Sequence, residues 1–297
     1  MTKRFKQVAV LKGGPSAERE VSLVSGAAVA VALRSRGYTV AEVDVTTTDV
    51  DLPTAVEVVF IALHGTFGED GTVQALLQAR GIPYTGSNAA VSRLTFDKAA
   101  TKRMLVAHGV PTPAYAVVTA PGTCPLPLPV VVKPARQGSS VGIHCVFTDA
   151  EWENALQDAL RYDSEVLVEA YIAGRELTVG WVDGEWLPVL EIRPANGYYD
   201  YHAKYEADDT TYLVPAPVSA ACAAAAQDHA RRAIEVLGCQ GMARVDFRMN
   251  NSGELFILEV NTIPGFTAHS LLPKAAQAAG ITFEDCCERI LSGAKVH

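Results

Sequence analysis

The first third of the chain alternates short apolar runs with segments whose apolar residues recur at helical spacing. Residues 7–11 (QVAVL) predict a buried strand, and apolar positions three or four apart over residues 21–32 predict a helix that Gly37 ends. Two further strands and one helix follow at residues 38–45, 56–63 and 71–81. Strands that alternate with helices predict a parallel sheet with helices on both of its faces.

The middle third predicts a smaller α+β unit. A helix begins at residues 95–97 and ends at Gly109, after which the Pro-rich residues 120–129 lead into the apolar strand VVVKP. A second amphipathic helix over residues 149–160 precedes the strand EVLVEAYI.

The last third predicts two hairpins, a long loop and a helix. Two alternating runs flank Asp183 and Gly184, which is a strong hairpin signal. Residues 196–214 show no periodicity, and a loop of this length in a compact chain is usually functional or disordered. The alanine-rich residues 219–238 predict a helix because alanine has the highest helix propensity.

Composition narrows the class of protein. The chain has 297 residues, enough for two or three domains, and its 49% apolar and 20% charged residues permit an ordinary globular core. A net charge of −8 argues against a nucleic-acid partner, whose binding surface would be basic. The six cysteines are scattered without a CxxC pair, which indicates reduced thiols. No apolar run is long enough for a signal peptide or a membrane span, so the sequence predicts a cytoplasmic protein with no membrane partner.

The second hairpin ends in polar residues that an apolar strand does not explain. It is predicted where NNSG separates MARVDFRM from ELFILEV. Because side chains alternate along a strand, Arg244 and Asp246 share one face, and Glu259 and Asn261 share one face of the partner strand. A four-residue loop predicts that Arg244 lies opposite Glu259, with Asp246 one diagonal away.

Two interpretations of this strand end stay open. Two carboxylates pressed together raise each other's pKa and destabilise the fold unless a cation lies between them. The oxygen ligands that Asp246, Glu259 and Asn261 offer suit Mg²⁺ or Mn²⁺ on phosphate. The alternative is a salt-bridge network of arginine and acids that only pins the hairpin.

Three lysines are candidates for binding phosphate. Lys98 lies in the first helix of the middle third, Lys133 closes the strand VVVKP, and Lys204 lies in the long loop. A lysine that closes an apolar strand is a poor core residue but a good point charge for phosphate. The alternative for each one alone is a surface lysine whose stem covers apolar neighbours.

The turn RQGSSVG between two predicted strands could wrap phosphate oxygens with its backbone amides. Gly138, Ser140 and Gly142 also match the G-x-S-x-G motif of serine hydrolases. That motif requires a strand immediately before it and a helix immediately after it. Here a gap precedes the motif and a β-branched strand follows, so the hydrolase is rejected.

Two residues lie at the carboxyl ends of predicted parallel strands, where such sheets bind ligands. Glu18, in the turn after the first strand, could hold a substrate ammonium, although an acid in a first helical turn is also favoured by the helix dipole. His64 ends a later strand in a glycine-rich segment, which is consistent with backbone close to a ligand. A structural histidine is the alternative.

Six stretches together resemble the D-alanine–D-alanine ligase family of the ATP-grasp superfamily. In family order they are GGPSAEREVSL, HGTFGEDGTVQ, IPYTGS, VVKPARQGSSVG, YDYHAKY and EVNTIPGFTAHS, and they span nearly the whole chain. The resemblance implies a three-domain α/β ATP-grasp fold with an N-terminal Rossmann-like parallel-sheet domain. We expect domains at residues 1–94, 95–176 and 177–297, with ATP between the second and third.

The resemblance also implies ligation of two D-alanine molecules through an acyl phosphate, for peptidoglycan precursor synthesis, by a cytoplasmic homodimer with ATP and two Mg²⁺ or Mn²⁺ ions. The residues implied to bind or activate D-alanine are Glu18, His64, Ser139, Tyr205, Arg244, Gly265, Ser270 and Leu271. Those implied to bind ATP are Lys98, Lys133, Glu169, Ala170, Tyr171, Ile172, Glu176, Lys204 and Asn261. Those implied to bind the metal ions are Asp246, Glu259 and Asn261.

Two other functions remain open at this point. One is a D-alanine–D-lactate ligase or another ATP-grasp amino-acid ligase, and Tyr205 discriminates because depsipeptide-forming relatives tend to lack it. The other is a nucleotide-binding protein without catalysis, which would lack a metal ligand or the oxyanion-binding arginine. Ala170 stands where many relatives carry a longer side chain, which leaves the adenine contacts open.

Overall fold

The N-terminal part of the chain forms a parallel sheet, seen in a computed structural model that describes residues 3–194, 210–267 and 269–297. The elements are β1 (Gln7–Gly13), α1 (Arg19–Ser35), β2 (Thr39–Val45), β3 (Val58–Ile61) and α2 (Thr72–Ala79). The strands pair in the order β2-β1-β3, all parallel. The predicted parallel sheet is therefore confirmed, and the apolar residues of β1 and β3 are almost entirely buried in it.

The middle of the chain forms an antiparallel sheet preceded by two helices. Its elements are α3 (Ala89–Phe96), α4 (Lys98–Ala107), β4 (Tyr115–Val118), β5 (Val130–Pro134), β6 (His144–Val146), α5 (Asp149–Ala159) and β7 (Val166–Ala170). The strands pair in the order β4-β7-β5-β6. Helix α4 is the predicted one, and it begins at Lys98 because the Asp97 carboxylate accepts a hydrogen bond of 2.8 Å from the Ala100 amide. The apolar pattern did not separate α3 from it.

The C-terminal part adds a second antiparallel sheet. Its elements are β8 (Gly174–Val182), β9 (Glu185–Trp186), β10 (Leu190–Arg193), β11 (Thr211–Leu213), α6 (Ala220–Leu237), β12 (Met242–Asn250), β13 (Leu255–Asn261), α7 (Leu271–Ala278) and α8 (Phe283–Ser292). The sheet order is β11-β10-β8-β12-β13, with β9 paired to the end of β8. Both predicted hairpins are present. The first turns at Asp183 and Gly184, whose φ angles of 45° and 92° explain a glycine at the second position.

The register of the second hairpin corrects the prediction. Asp246 lies opposite Glu259, and Arg244 lies opposite Asn261, whereas the loop length had predicted Arg244 opposite Glu259. All four residues still share one face of the β12–β13 pair. The correction matters because it brings the two carboxylates directly across from each other.

Two shifts of one residue each set this register. Next to the turn, Met249 lies opposite Leu255, whereas a four-residue loop would pair it with Glu254. Farther along, a β-bulge leaves Leu258 as an extra residue on β13 and adds the second shift.

Ile257 and Val260 are three residues apart and yet both are buried, at 0% and 3% exposure. In a regular strand, two residues three positions apart lie on opposite faces, so one of them would be exposed. The extra residue of the bulge lets both lie on the buried face while Glu259 lies on the other face.

The three largest apolar clusters among the described residues hold most of the elements together. The N-terminal sheet shares its core with α8, since Phe60 and Ile290 belong to one buried cluster. A second cluster lies between α6 and the sheet of β8, β12 and β13, where Val245 and Phe247 are buried. A third packs Trp152 of α5 on β5 and β7. In the described part of the chain, no helix combines the length and apolar character that crossing a membrane requires.

Candidate active site

A cleft of about 520 Å³ is lined by residues from all three parts of the chain. This volume lies within the usual range for a small-molecule site. The residues predicted to bind D-alanine that the structure describes all line it: Glu18, His64, Ser139, Arg244, Gly265, Ser270 and Leu271. Lys98, Glu259 and Asn261 also line it. The fold therefore brings together, in one cavity, residues that lie up to 253 positions apart in the chain (271 minus 18).

Glu18 lies at the start of α1, but its carboxylate does not cap that helix in the described structure. Instead, the Ser139 hydroxyl donates a hydrogen bond to Oε1 of Glu18. A Cβ atom at Gly65 or at Gly138 would lie 2.5 Å from Oε2, so a side chain at either position would displace this carboxylate. The φ angle of 69° at Gly65 also favours glycine there. The carboxylate is thus enclosed by backbone from two parts of the chain, a geometry that the helix-dipole alternative does not explain.

His64 is buried, and both ring nitrogens contact other groups of the protein. Nδ1 lies 3.3 Å from the carbonyl oxygen of Ile263, and Nε2 lies 3.1 Å from the Ser25 hydroxyl. Burial lowers the pKa of His64 and favours the neutral ring. If Nδ1 donates to the carbonyl, Nε2 accepts from Ser25. These contacts agree with the structural alternative, in which His64 holds the Ile263 loop that forms one wall of the cleft.

Glu69 also lines the cleft, and the sequence analysis did not select it. Its Oε2 accepts a hydrogen bond of 2.9 Å from the Gly65 amide. Burial raises the pKa of Glu69 well above the ordinary value, and the nearby Glu18 carboxylate raises it further. Lys98 and Arg244 act in the opposite direction with smaller effect. These surroundings therefore favour the protonated form of Glu69.

Arg244 forms a two-pronged ion pair on its own strand. Its Nε and Nη2 donate to the two oxygens of Asp246 at 2.9 and 2.8 Å. The Asp246 carboxylate also accepts from the Thr178 hydroxyl at 2.7 Å and from the Asn261 amide at 2.9 Å. Four donors therefore orient Asp246, and Asp246 in turn orients the guanidinium at the cleft wall.

The three residues predicted to bind metal differ in their surroundings. Asp246 is held in the salt-bridge network just described, whereas Glu259 is 26% exposed and its carboxylate lies 3.7 Å from Lys98 Nζ. Because the Asn261 amide nitrogen faces Asp246, its Oδ1 is directed away from that bond. The donors are hard oxygen atoms, which suit Mg²⁺ or Mn²⁺. No group of three or more His, Cys, Asp and Glu side chains among the described residues could hold a metal ion, so amide and ligand oxygens would have to complete the site.

Helix α7 points its N-terminus at the cleft through Ser270 and Leu271, which both line it. The Ser270 hydroxyl accepts a hydrogen bond of 3.0 Å from the Thr267 amide and does not cap its own helix in the described structure. A helix N-terminus with uncapped first-turn amides favours a carboxylate ligand. Gly265 lies beside it, where a Cβ atom would be 3.4 Å from the Ser270 hydroxyl.

A second cluster lies outside the cleft, on the sheet of the middle domain. Glu169 on β7 is 2% exposed, and its Oε1 lies 2.9 Å from the ammonium groups of both Lys133 and Lys102. Lys102 lies on α4 and is completely buried. Burial alone would raise the pKa of Glu169, but the two lysines outweigh it and lower that pKa. Burial lowers the pKa of Lys102 to about 8, against the opposing charge of Glu169.

The segment after β7 carries the residues predicted to contact adenine and ribose. The amides of Ala170 and Tyr171 donate within the middle domain, to Ala114 at 2.8 Å and Pro129 at 3.0 Å. The carbonyl of Ile172 accepts from Arg248 Nε at 3.1 Å. Glu176, on β8, lies opposite Arg248 in the sheet. This segment is therefore fixed to both sheets.

Two predicted residues, Lys204 and Tyr205, lie outside the described residues. Three residues with site contacts were missed: Lys102, Glu69 and Arg248. Lys102 is four positions after Lys98, so helical spacing could have placed both on one face of α4. Arg248 is two positions after Asp246, so strand alternation could have placed it on the site face. No comparable pattern marks Glu69.

Comparisons with known proteins were made for sequence and structure. A family model described as "D-ala D-ala ligase C-terminus" matches residues 107–292, and one described as "D-ala D-ala ligase N-terminus" matches residues 45–87. A D-alanine–D-alanine ligase of Syntrophotalea carbinolica is 51% identical over 98% of this chain and 97% of its own length. One of Methylacidiphilum infernorum is 48% identical over 96% and 94%.

Solved structures resemble the whole chain. A crystal structure of D-alanine–D-alanine ligase from Bacillus anthracis complexed with ATP has a TM-score of 0.84 and 31% sequence identity, covering 97% of each chain. A second crystal structure of that ligase has a TM-score of 0.86 and 34% identity over the same shares. The three-sheet arrangement described above is therefore shared over nearly its full length.

Proposed function

The chain belongs to the D-alanine–D-alanine ligase family, and we propose that it is an ATP-dependent ligase that joins two D-alanine molecules. The products are D-alanyl-D-alanine, ADP and phosphate, and the dipeptide serves peptidoglycan precursor synthesis. One observation carries the proposal. The same cleft offers a carboxylate at Glu18, a guanidinium at Arg244 and a helix N-terminus at Ser270. The negative Glu18 suits an ammonium group, and the positive Arg244 and helix N-terminus suit carboxyl groups. Together they complement two amino acids bound head to tail.

The first D-alanine is proposed to bind with its ammonium on Glu18. The Ser139 hydroxyl donates to that carboxylate, and burial beside Glu18 raises the pKa of Glu69. If Glu69 were also charged, it would offer a second anionic site beside Glu18, and the substrate ammonium would no longer be held in one orientation. The ion pair with Glu18 leaves the carboxylate of the first D-alanine to face the nucleotide.

In the first step, a carboxylate oxygen of the first D-alanine attacks the γ-phosphorus of ATP, the bond to the β-phosphate oxygen breaks, and ADP leaves. Phosphoryl transfer depends mainly on positioning and on neutralising charge. Lys98 and Lys133 are proposed to hold the phosphates, together with Lys204. Asp246, Glu259 and Asn261 would hold Mg²⁺ or Mn²⁺ ions, which neutralise phosphate charge when bound.

In the second step, the free amine of the second D-alanine attacks the acyl carbon, the amine loses a proton, and phosphate leaves with its bonding electron pair. The tetrahedral intermediate carries an oxyanion, for which Arg244 and the Gly265 amide are the proposed donors. Asp246 keeps the guanidinium oriented before the charge develops. The carboxylate of the second D-alanine is proposed to lie at the N-terminus of α7, on Ser270 and Leu271.

ATP is proposed to lie between the middle and C-terminal sheets. The amides of Ala170 and Tyr171 donate within the protein, so the amide of Ile172 is proposed as the donor to an adenine ring nitrogen. Glu176 is proposed to receive the ribose hydroxyls, and Glu169 to orient Lys133 on the adenine side. The Tyr171 ring belongs to the same subsite.

We also propose domains at residues 1–94, 95–176 and 177–297, supported by the three separate sheets. The second boundary falls inside β8, which belongs to the C-terminal sheet from Gly174. A homodimer in the cytoplasm is proposed on family membership alone.

A coupled assay of ADP release tests the ligation. ADP should form with ATP, Mg²⁺ and D-alanine and should not form with L-alanine, and D-alanyl-D-alanine should accumulate in equal amount. A Glu18→Gln variant should lose most of this activity while ATP binding, measured by calorimetry, remains. Equal turnover of both stereoisomers, or ADP release without dipeptide, would exclude the assignment.

A further inference from the structure

Arg248 connects the three parts of the proposed nucleoside subsite. Its Nε donates to the carbonyl oxygen of Ile172 at 3.1 Å, and its Nη1 lies 3.3 Å from Oε2 of Glu176. The guanidinium carbon also lies 6.0 Å from the centre of the Tyr171 ring, within the range of a cation–π contact. One planar group therefore contacts the adenine-side backbone, the ribose-side carboxylate and an aromatic ring.

The sheet explains why Arg248 can do this. Arg248 on β12 lies directly opposite Glu176 on β8, and it shares a face with Asp246 and Arg244. The Arg248 and Glu176 side chains are 13% and 17% exposed, so their attraction is screened less than that of a surface pair. The rigid strand pair fixes the distance between them.

An arginine suits this position for chemical reasons. The guanidinium is planar and always charged, and it presents several donors in a fixed fork. It can therefore bond a carbonyl and a carboxylate at once through two different nitrogens of one rigid group. A lysine offers a single nitrogen on a flexible stem, and a methionine has no donor. A hydrogen bond to one oxygen restricts the rotation of the Glu176 carboxylate and so fixes its orientation in the sheet.

We propose that Arg248 is a positioning residue that makes the enzyme selective for ribonucleotides, by holding Glu176 and the Ile172 carbonyl for the ribose and adenine of ATP. The proposal rests on the proposed function, since it assumes that ATP lies between these two sheets. Arg248 is not among the residues that line the cleft proposed for D-alanine, so we expect it to act on nucleotide binding and not on the chemical steps.

The test compares ATP with 2′-deoxy-ATP and 3′-deoxy-ATP in wild-type protein and in Arg248→Met, whose side chain keeps the apolar stem. KM for ATP should rise roughly tenfold, the loss expected for a charged hydrogen bond, while kcat at saturating ATP changes less than about twofold. The preference of the wild type for ATP over at least one deoxynucleotide should fall toward one. Arg248→Lys should recover part of this preference, because it restores a cation beside Glu176.

A matched control is Arg175→Met. Arg175 precedes Glu176 on the same strand and therefore faces away from the site, where it donates to Glu191 at 2.7 Å. Glu191 keeps a second partner in Arg193 at 2.9 Å. This variant removes a comparable ion pair from the same sheet and should leave both KM for ATP and the preference between nucleotides unchanged.

Three outcomes would overturn the proposal. They are an unchanged KM for ATP in Arg248→Met, equal losses for ATP and both deoxynucleotides, and a wild type that uses all three nucleotides equally. If Arg248→Met unfolds, the test uses three other variants. They are Arg248→Lys, Glu176→Gln and the double variant that carries both substitutions. The effect of Arg248→Lys on nucleotide preference should disappear when Glu176 is already neutral.

Failure of the ligase assignment would look different. Nucleotide dissociation constants measured by calorimetry do not require turnover, so the preference for ATP can be measured even if no dipeptide forms. A wild type that binds ATP with ribose preference but makes no dipeptide would refute the ligation and leave the Arg248 test standing. A wild type that binds no ATP would refute both.

Discussion

Glu69 and Glu169 are both largely withdrawn from bulk water, yet their surroundings shift their pKa values in opposite directions. Burial raises the pKa of Glu69, and the adjacent Glu18 carboxylate raises it further. Burial acts the same way on Glu169, but Lys102 and Lys133 outweigh it and lower the pKa. The sign of the neighbouring charge, and not burial itself, decides the direction in which the pKa of each glutamate shifts.

The contrast extends to the two halves of the site. On the nucleotide side, charges are paired within the protein: two lysines share Glu169, and Arg248 holds Glu176. In the cleft, Glu18 raises the pKa of Glu69, and Lys98 and Arg244 oppose this with smaller effect. If the proposed function holds, the nucleotide subsite has its charges paired within the protein, and the substrate ammonium adds a positive charge beside Glu18.

The largest expected effect is loss of stability in Glu169→Gln. The change leaves two buried ammonium groups without their carboxylate, and breaking a buried ion pair typically destabilises a protein by about 3–5 kcal/mol. Urea unfolding without nucleotide measures the effect, and fluorescence of Trp152, in the core of the same domain, reports it. Wild-type stability should also fall at acid pH as Glu169 is protonated, because its folded pKa lies below the unfolded one.

Glu165→Gln is the matched control for that variant. Glu165 lies four positions earlier and pairs with Arg136 at 3.6 Å on the surface. Exposed pairs contribute at most about 1 kcal/mol, so its unfolding midpoint should hardly move. Equal midpoints for Glu169→Gln and Glu165→Gln would mean that the buried lysine pair does not depend on Glu169.

The next effect is loss of activity in Glu259→Gln. If Glu259 binds metal with Asp246, the variant should lose roughly 100-fold or more in kcat, the range for removing a main charge-stabilising group. Without nucleotide, the melting temperature should hold or rise, because the substitution relieves repulsion between two carboxylates that face each other across the strands. Glu254→Gln, in the turn of the same hairpin, should change neither quantity.

The melting temperature separates the two interpretations of the hairpin acids. A salt-bridge network that only pins the strands predicts a clear drop in melting temperature for Glu259→Gln, with activity falling in proportion. Full activity in the variant would remove Glu259 from the metal site.

The smallest expected effect is on Glu69→Gln, and it depends on pH. Because the folded pKa lies above the unfolded one, the native state binds more protons between these two values, and wild-type stability falls as pH rises through that window. Glutamine resembles the neutral acid, so at about pH 5 the variant and wild type should differ by less than about 1 kcal/mol. At about pH 8 the variant should be the more stable of the two. A constant difference across this range would show that Glu69 does not titrate as described.

Much of the fold follows from local patterns. The parallel sheet, helix α6 between Ser219 and Gly238, and the turn at Asp183 and Gly184 depend on residues close together in the chain. Periodicity, capping and turn preferences are local properties, so they can be recognised without knowing the partners of each element. The family motifs added the residues of the cleft because each motif is a contiguous stretch.

Other features depend on contacts between distant segments. The bulge at Leu258 was not predictable from loop length, because it arises from the need to bury both Ile257 and Val260 in a core shared with α6. The pairs of Lys102 with Glu169 and of Arg248 with Glu176 join residues about 70 positions apart (169 minus 102 is 67, and 248 minus 176 is 72). No periodicity connects such positions.

By itself, the sequence determined the alternating strands and helices of the first third, the two hairpins, the family and the contiguous motifs that supply the cleft. The tertiary structure decided the hairpin register, the choice of partner for each buried charge and, through those partners, the direction in which the pKa of each buried glutamate shifts. The physical reason is that electrostatic interactions depend on distance in space and on exclusion of water. Both are set only when the sheets pack together, and neither is written in the spacing of residues along the chain.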